Sequence, residues 1–428
     1  MVQLASETYH RPHRNESKVE IGSYAIIGDC RTAALVSLNG SIDWLCLPHF
    51  SGASVFAALL DEERGGQFLI CPVGKYQSTR RYLGATAVLE TTFETITGSA
   101  RLIDAMPVVE NARTLRPLRE LLRIVEGIEG DVCFDVRWEP RPNYARGRVP
   151  IESRGALGWS CAWSDDLFLL HTEAQLELRA AENAVVGSIH VEAGRKCRFS
   201  LGYAKADIGV VSPLGQEADD RLRATLEWWQ SWSSQCAYDG PHPDMVIRSA
   251  ITLKLMTFAL SGAVLAAPTT SLPEAIGSDR NWDYRYCWLR DAALTMRAFT
   301  GLGFQSEAKA FLQWLLHATR LTWPELQVMY DVYGRTNLCE SELNHLRGFR
   351  DSRPVRIGNG AHAQVQLDVY GGVLFAAFDY VEKGGRLQRD EAKLLIGFGQ
   401  TVCKQWRDPD SGISVSYTHL TLPTICSV

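Results

Sequence analysis

Basic runs are missing from this chain. Its 44 Lys and Arg are outnumbered by 49 Asp and Glu, the formal net charge is −5, and no positive stripe stands out. That argues against a nucleic-acid footprint. An apolar leader is missing too: MVQLASETYHRPHRNESKVE (1–20) has no hydrophobic core region, so no secretory signal is expected. Long hydrophobic runs are also lacking. The most apolar stretch, LKLMTFALSGAVLAAP (253–268), carries Lys254 and a glycine and ends in proline. Below about 18 apolar residues, such a stretch reads as a core helix rather than a membrane span. The 11 cysteines form no CxxC pair and no Cys/His metal spacing, and the histidines are isolated. Reduced, mostly buried thiols in a cytoplasmic protein are expected, with no metal and no cofactor. Neither an internal repeat nor a low-complexity segment appears. What remains is an ordinary globular composition, 46% hydrophobic and 22% charged, in a chain long enough for two or more domains.

Two textures divide that length. From about residue 19 to 210 the signals are short and β-like. SLNGSIDWLCL (37–47) places Asn39-Gly40 between apolar runs, the strongest short hairpin signal. CFDVRWEPR, LFLLHTEAQLELRA and KCRFSLGYA alternate or run apolar over strand lengths, with glycine-rich turns between them. An antiparallel β-sandwich is expected over 1–215. ADDRLRATLEWWQSWSSQC (218–236) then reads as a helix, within a connecting segment at 216–242. Beyond Pro243 the texture is helical. The periodicity predicts helices over 245–262, 288–303, 306–319 with Ser306 as N-cap, 363–385 with Gly384 as stop, and 389–406. In the last, Ala392, Leu395, Ile396, Gly399, Cys403 and Trp406 form the expected apolar stripe. Several helices are apolar on more than one face, as in a helical barrel packed on both sides. Long loops at 263–287 and 327–361 separate them, and loops of that length are usually functional.

NWDYRYCWLRDAAL (281–294) ends the first long loop and enters a helix. Four aromatic rings, Trp282, Tyr284, Tyr286 and Trp288, crowd around Asp283, Arg285 and the adjacent Arg290–Asp291 pair. Sugars present apolar C–H faces and a rim of hydroxyls. Aromatic rings take the faces, and guanidinium and carboxylate groups take neighbouring hydroxyls through strong directional hydrogen bonds. The plain alternative is that the rings are core and that Arg290–Asp291 is a surface or helix-start pair.

Longer stretches carry a resemblance. GAVLAAPTTSLPEAIGSDRNWDYRYCWLRDAAL (262–294), GSYAIIGDCRTAALVSLNGSIDWLCLPHFSGASVFAALLD (22–61) and SELNHLRGFRDSRPVRIGNGAHAQVQLDVYG (341–371) match, in order, motifs of the bacterial glucoamylase/trehalase-like glycosidases, glycoside hydrolase family 15. The chain resembles that family over nearly all of 19–413. The resemblance implies a β-sandwich, a linker helix and an (α/α)6 barrel over 243–413 whose loops form a sugar pocket. It implies that Arg290 and Asp291 hold hydroxyls of the sugar at the cleavage subsite and that Trp288 stands in front of them. It puts Tyr284 near the reacting carbon, where a phenol supports a developing oxocarbenium ion. Trp282 and Asp283 match less specifically and read equally well as core packing or loop pinning. Arg356, Asn359 and Gln364 become candidate substrate contacts, with a structural ion pair as the alternative for Arg356. Asp368 and Tyr370 are expected to support their helix from behind.

An inverting glycosidase needs two carboxyl groups, roughly 6.5–9.5 Å apart. In the family the general acid follows a segment of the form PD-x-GIWE. Pro409-Asp410-Ser411-Gly412-Ile413 matches its start, but Ser414 and Val415 stand where Trp and Glu are expected. The resemblance puts the general base further on, beyond Val428. No catalytic carboxylate is therefore assigned. SVSYTHLTLPTICSV (414–428) carries no Asp, Glu, Lys or Arg, and VSYTHLTLPT resembles one translated frame of a sequencing adapter. The expectation is a foreign tail on the front of a longer enzyme, with an exposed apolar seam and no hydrolase activity in the chain as written. A genuine strand-like C-terminus is the alternative. Glu340 and Glu342, in CESELNHL, are fallback acids, against the plainer reading as substrate-contacting or solvated loop carboxylates. Glu274 reads as structural. The favoured function is an inverting α-glucoside hydrolase acting on oligosaccharide ends or on trehalose. A phosphorolytic transferase of similar architecture and a non-catalytic sugar-binding protein are the alternatives. The partner is a small α-glucoside; neither nucleic acid nor membrane is expected.

Overall fold

Asn39-Gly40 forms the tight turn its neighbours call for. Ala33–Val36 and Ser41–Cys46 pair antiparallel across it, and Gly40 adopts φ +79° where a Cβ would collide with the Ile70 carbonyl. The chain is represented by a computed structural model that describes residues 20–108, 116–206 and 209–412. The described residues of the first half form one large antiparallel sheet of 15 strands. Arg119–Glu139, 21 residues long, is the strand that joins everything. Its first part pairs Gly98–Ala105 and Lys196–Lys205, and its second part pairs Gln67–Pro72 and Ala184–Glu192. The partners change near Gly127 and Gly130, where the ladder with Gly98–Ala105 also shifts register. Side chains from both groups of strands share one core: Phe93 meets Phe134 edge-on at 5.8 Å, and Phe68 meets Phe199 at 6.1 Å.

Six α-helices follow among the described residues: α1 (Gln216–Ser233), α2 (Pro243–Leu255), α3 (Leu289–Leu302), α4 (Gln305–Ala318), α5 (Asp368–Glu382) and α6 (Arg389–Gln405). Local signals explain several boundaries. Pro243 opens α2, Gly303 at φ +93° ends α3, and Gln388 with Glu391 makes a capping box for α6. The helices share a core that also takes in Cys30, Ala33, Phe50 and Ala87 from the sheet part. Glu307 of α4 ties α1 and α2 together, accepting from Trp232 Nε1 at 2.7 Å and Lys254 Nζ at 3.0 Å. Among the described residues, no helix is long and apolar enough to cross a membrane.

Four sequence expectations change. The helix expected over 245–262 stops at Leu255, because the apolar residues beyond it serve a turn: Phe258 N–H donates to Ala263 O and Gly262 N–H to Phe258 O. Gly262 sits at φ +85° against the backbone of Ala310, and 253–268 is therefore not one core helix. The helix expected from residue 363 starts at Asp368, after a short 3-10 turn at Gly360–Ala363. Ser306 does not cap α4; Phe304 holds that position, and the Ser306 hydroxyl bonds Glu307. On α6 the buried stripe is Leu395, Phe398 and Thr401, whereas Ile396, Cys403 and Trp406 are exposed. The ten described cysteines are free thiols, and Cys30, Cys46, Cys71, Cys161 and Cys287 are the buried ones.

Candidate functional site

Residues 281–285 form an extended run, bridged at Asp283 to Thr270, and the chain bends at Tyr286 into the short strand Cys287–Trp288. On one side Ala266, Ala267 and Ser271 donate backbone N–H bonds to Tyr286, Tyr284 and Trp282; on the other, Cys287–Trp288 pairs with Met329–Tyr330. Successive side chains of an extended run point to opposite sides. Asn281, Asp283 and Arg285 are accordingly buried, while Trp282 and Tyr284 are only half-buried. The Tyr284 and Trp288 rings lie 6.2 Å apart. Trp288 itself is buried, and its indole N–H has no hydrogen-bond partner among the described residues.

Arg290 and Asp291 occupy the first turn of α3. Arg290 NH1 lies 3.3 Å from both Gln366 Oε1 and Asp368 Oδ2. The second Asp368 oxygen, Oδ1, is buried without a partner. Burial raises the Asp291 pKa, Arg290 pulls it down, and Asp368 pushes it up again. Burial, followed by the charges of Glu274 and Asp291, also raises the Tyr284 phenol, which stays protonated. The structure thus gathers Tyr284, Trp288, Arg290 and Asp291 with Asp368 and Gln366. Donors and acceptors stand side by side near two rings, and two buried polar atoms are unused. Buried polar groups are rarely left so unless a ligand or water takes them.

Arg356 and Asn359 lie elsewhere in this network. Arg356 Nε pairs with Glu340 at 3.1 Å, its second amino group lies 3.9 Å from Glu342, and NH1 donates to the Asp279 carbonyl at 2.7 Å. Its guanidinium covers the Trp282 ring at 4.5 Å. Glu340 also accepts the Gly360 N–H at 3.0 Å. Glu340 and Arg356 therefore hold two loop strands together, Ser341–Glu342 against Arg356–Ile357. Asn359 is fully buried, with its amide spent on Asp283 O and Ala361 N–H. The geometry gives Arg356 the ion pair that was the alternative to substrate contact, and gives Asn359 loop-holding partners. Gln364 accepts from Gln366 at 2.9 Å. Asp368 is not behind its helix, since it faces Arg290, but Tyr370 is: its hydroxyl accepts the Leu326 N–H at 2.8 Å.

Sequence reasoning missed Gln366 and the strength of the Asp283–Arg285 pair. Alternation at strand period in N-W-D-Y-R-Y was the signal available for the pair. Pro409–Gly412 reaches the same loop, with Leu367 N–H on Asp410 Oδ2 at 3.1 Å and Ser411 N–H on the Val365 carbonyl at 2.8 Å. The general acid expected after Ile413, and the tail at 414–428, lie outside the described residues. Among the described residues, no three His, Cys, Asp or Glu side chains converge as metal ligands would.

Comparisons with known proteins divide the chain as the two textures do. Residues 240–413 match Glycosyl hydrolases family 15, and residues 13–179 match Trehalase-like, N-terminal. A trehalase of Mycolicibacterium smegmatis is 35% identical over 92% of this chain and 62% of its own length. A trehalase of Thermoplasma volcanium is 33% identical over 93% of this chain and 63% of its own. The chain thus spans about three-fifths of the relatives it matches. Among solved structures, a bacterial glucoamylase complexed with acarbose superposes with a TM-score of 0.58 at 10% identity, covering 91% of this chain and 59% of that one. At that identity the likeness concerns the fold alone: a large N-terminal antiparallel sheet followed by a helical part.

Proposed function

We propose, proceeding from a chain that carries a trehalase-like N-terminal domain and a domain of glycosyl hydrolases family 15, that it serves hydrolysis of a small α-glucoside. Trehalose and the ends of short α-glucans are the candidate substrates, and the trehalase relatives favour the first. We divide the chain into a sandwich-like domain over 1–215, a connecting segment over 216–242 and part of an (α/α)6 barrel over 243–413. The free cysteines fit a reducing, cytoplasmic setting.

The observation that carries this reading is the Arg290–Asp291 pair beside the unpartnered Trp288 Nε1 and Asp368 Oδ1. A glucose ring offers vicinal hydroxyls that donate and accept at once. Asp291 accepts from one, and Arg290 donates to its neighbour. The half-buried Tyr284 ring, backed by Trp288, covers the C–H face. Tyr284, kept protonated, presents its oxygen where positive charge develops at the anomeric carbon. We assign hydrolysis with inversion, in which one carboxyl group protonates the leaving oxygen and another activates water from the opposite face. The first glucose released from an α-linked substrate is then the β anomer, visible by proton NMR before mutarotation.

Titration calorimetry of the chain with trehalose and with maltose tests the binding half. Saturable binding of one or both is expected, weakened roughly tenfold or more in Arg290→Met, as for a lost charge-assisted hydrogen bond. A folded chain that binds neither sugar sinks the reading.

A further inference from the structure

Tyr284 is held from behind by residues that never approach the sugar site. Its two neighbours in the extended run, Asp283 and Arg285, are fully buried and form a closed pair. Asp283 Oδ1 accepts from Arg285 Nε at 2.8 Å, and Oδ2 accepts from Arg285 NH2 at 2.7 Å. Asp283 Oδ2 also takes the Gly358 N–H at 3.2 Å. The remaining guanidinium nitrogen, Arg285 NH1, leaves the helical part altogether and donates to the Gly52 carbonyl of the sheet part at 2.9 Å. Tyr144, also of the sheet part, donates its hydroxyl to that same carbonyl at 3.0 Å. Trp44 adds a second tie between the parts, its Nε1 donating to the Pro268 carbonyl at 2.9 Å. Burial works against the Arg285 charge, but Asp283, Tyr144 and Cys46 override it and hold the guanidinium well above its ordinary pKa. Its charge, and with it the whole fork, is permanent.

We propose that Arg285 is a positioning residue: it transmits the placement of the Gly52 turn in the sheet part to Tyr284, so that the N-terminal sheet sets how the phenol meets the sugar. The proposal rests on the functional reading above. An extended backbone ties the orientation of one side chain to those on either side of it, because neighbours must point opposite ways. With Asp283 and Arg285 committed inward at five polar contacts on named partners, the Tyr284 ring turns to the opposite side, where Trp288, Glu274 and Asp291 stand. Lysine at 285 keeps the charge but cannot reproduce a fork that spans Asp283 and Gly52 together.

A double-mutant cycle read in sugar affinity separates positioning from plain scaffolding. Calorimetry with trehalose and maltose is run on the chain and on R285K, Y284A and the double variant, with urea midpoints recorded for each. R285K is expected to weaken binding by about fivefold. In the Y284A background the same change is expected to add nothing, because Arg285 acts through the phenol. Tyr144→Phe is the second variant, removing only the hydroxyl on the Gly52 carbonyl, and it carries the same cycle if R285K does not fold. A loss that multiplies in the double variants, or no loss in either single variant, overturns the positioning role and leaves the functional reading standing. A folded parent chain that binds neither sugar overturns both.

Discussion

A half-buried carboxylate facing a second carboxylate resists ionisation, and Asp291 is in that position beside Asp368. Its raised folded pKa means that the folded chain holds more protons than the unfolded one between the ordinary carboxylate range and that raised value. Stability therefore falls as pH rises through that window, and at neutral pH the ionised group is a burden on the fold. Asp291→Asn is expected to raise the thermal midpoint at pH 7 while weakening sugar binding about tenfold or more. Calorimetry and thermal unfolding on the same sample check both halves, and a lower midpoint with unchanged affinity contradicts them. In the parent chain, affinity should drop on acidification at a pH above the usual carboxylate range, where Asp291 takes up its proton. At this scale the sequence was legible where residues are neighbours in the chain: Trp288, Arg290 and Asp291 are close in number and close in space. Gln366 and Asp368 come from 76 and 78 positions further on, and no local pattern announces a pairing over that distance. Arg356 and Asn359 share the candidate loop, yet their partners Glu340 and Asp283 are chosen by the folded path.

Helix existence followed from apolar spacing, whereas helix phase and length did not. On α6, taking Ile396 and Trp406 as core instead of Phe398 rotates the apolar face away from the one that packs. The sequence offers apolar residues on both sides, and the packing selects between them: Phe398 meets Tyr370 with ring centroids 6.2 Å apart, and Thr401 donates to the Pro324 carbonyl. Phe398→Ala should cost about 3–5 kcal/mol of stability, as for other fully buried aromatics. Ile396→Ala, with its side chain mostly in solvent, should stay within about 0.5 kcal/mol. Chemical denaturation of the two variants decides the orientation, and a larger loss at Ile396 reverses it. The same ambiguity extended α2 too far. Residues 256–262 are as apolar as a helix continuation would be, but Ala259 N–H is drawn to the Cys30 carbonyl of the sheet part. Gly262→Ala is expected to destabilise by about 1 kcal/mol or more, since its φ is +85° and the added carbon meets the Ala310 backbone at 2.6 Å. The sheet was more readable, because period-2 patterning needs only one buried face. The exception is Arg119–Glu139, whose change of partners near Gly127 is set by what flanks it.

The sheet and the helices are one structure by virtue of a polar seam as much as an apolar one. Arg347 N–H reaches Asp61 Oδ2 at 3.1 Å, His345 Nε2 lies 2.7 Å from the Tyr144 carbonyl, and Leu343, Leu346 and Phe349 pack on Trp44, Leu59 and Leu60. The loop that carries Glu340 and Arg356 is thus moored to the N-terminal part, as is the Arg285 segment. His49 lies on this seam, its ring edge-on to Tyr333 at 5.3 Å and 3.2 Å from the Ser51 hydroxyl. Burial, followed by the positive charges of Arg285, Arg119, Arg335 and Lys205, pushes its pKa down from 6.5 to about 4. Between those values an unfolded chain binds the proton that the folded chain refuses. Each step down in pH across the window then favours unfolding, with stability from this group intact above about 6.5 and lost progressively towards 4. Urea midpoints taken at half-unit steps should fall across that window in the parent chain and fall less in His49→Gln, which has nothing to protonate. Parallel curves for the two chains would mean that His49 does not carry the seam's acid sensitivity. Arg285, which adds to burial in keeping His49 neutral, also joins the two parts. Acid should therefore loosen the seam before it melts either core, and affinity for the proposed α-glucoside should decline ahead of the loss of secondary structure.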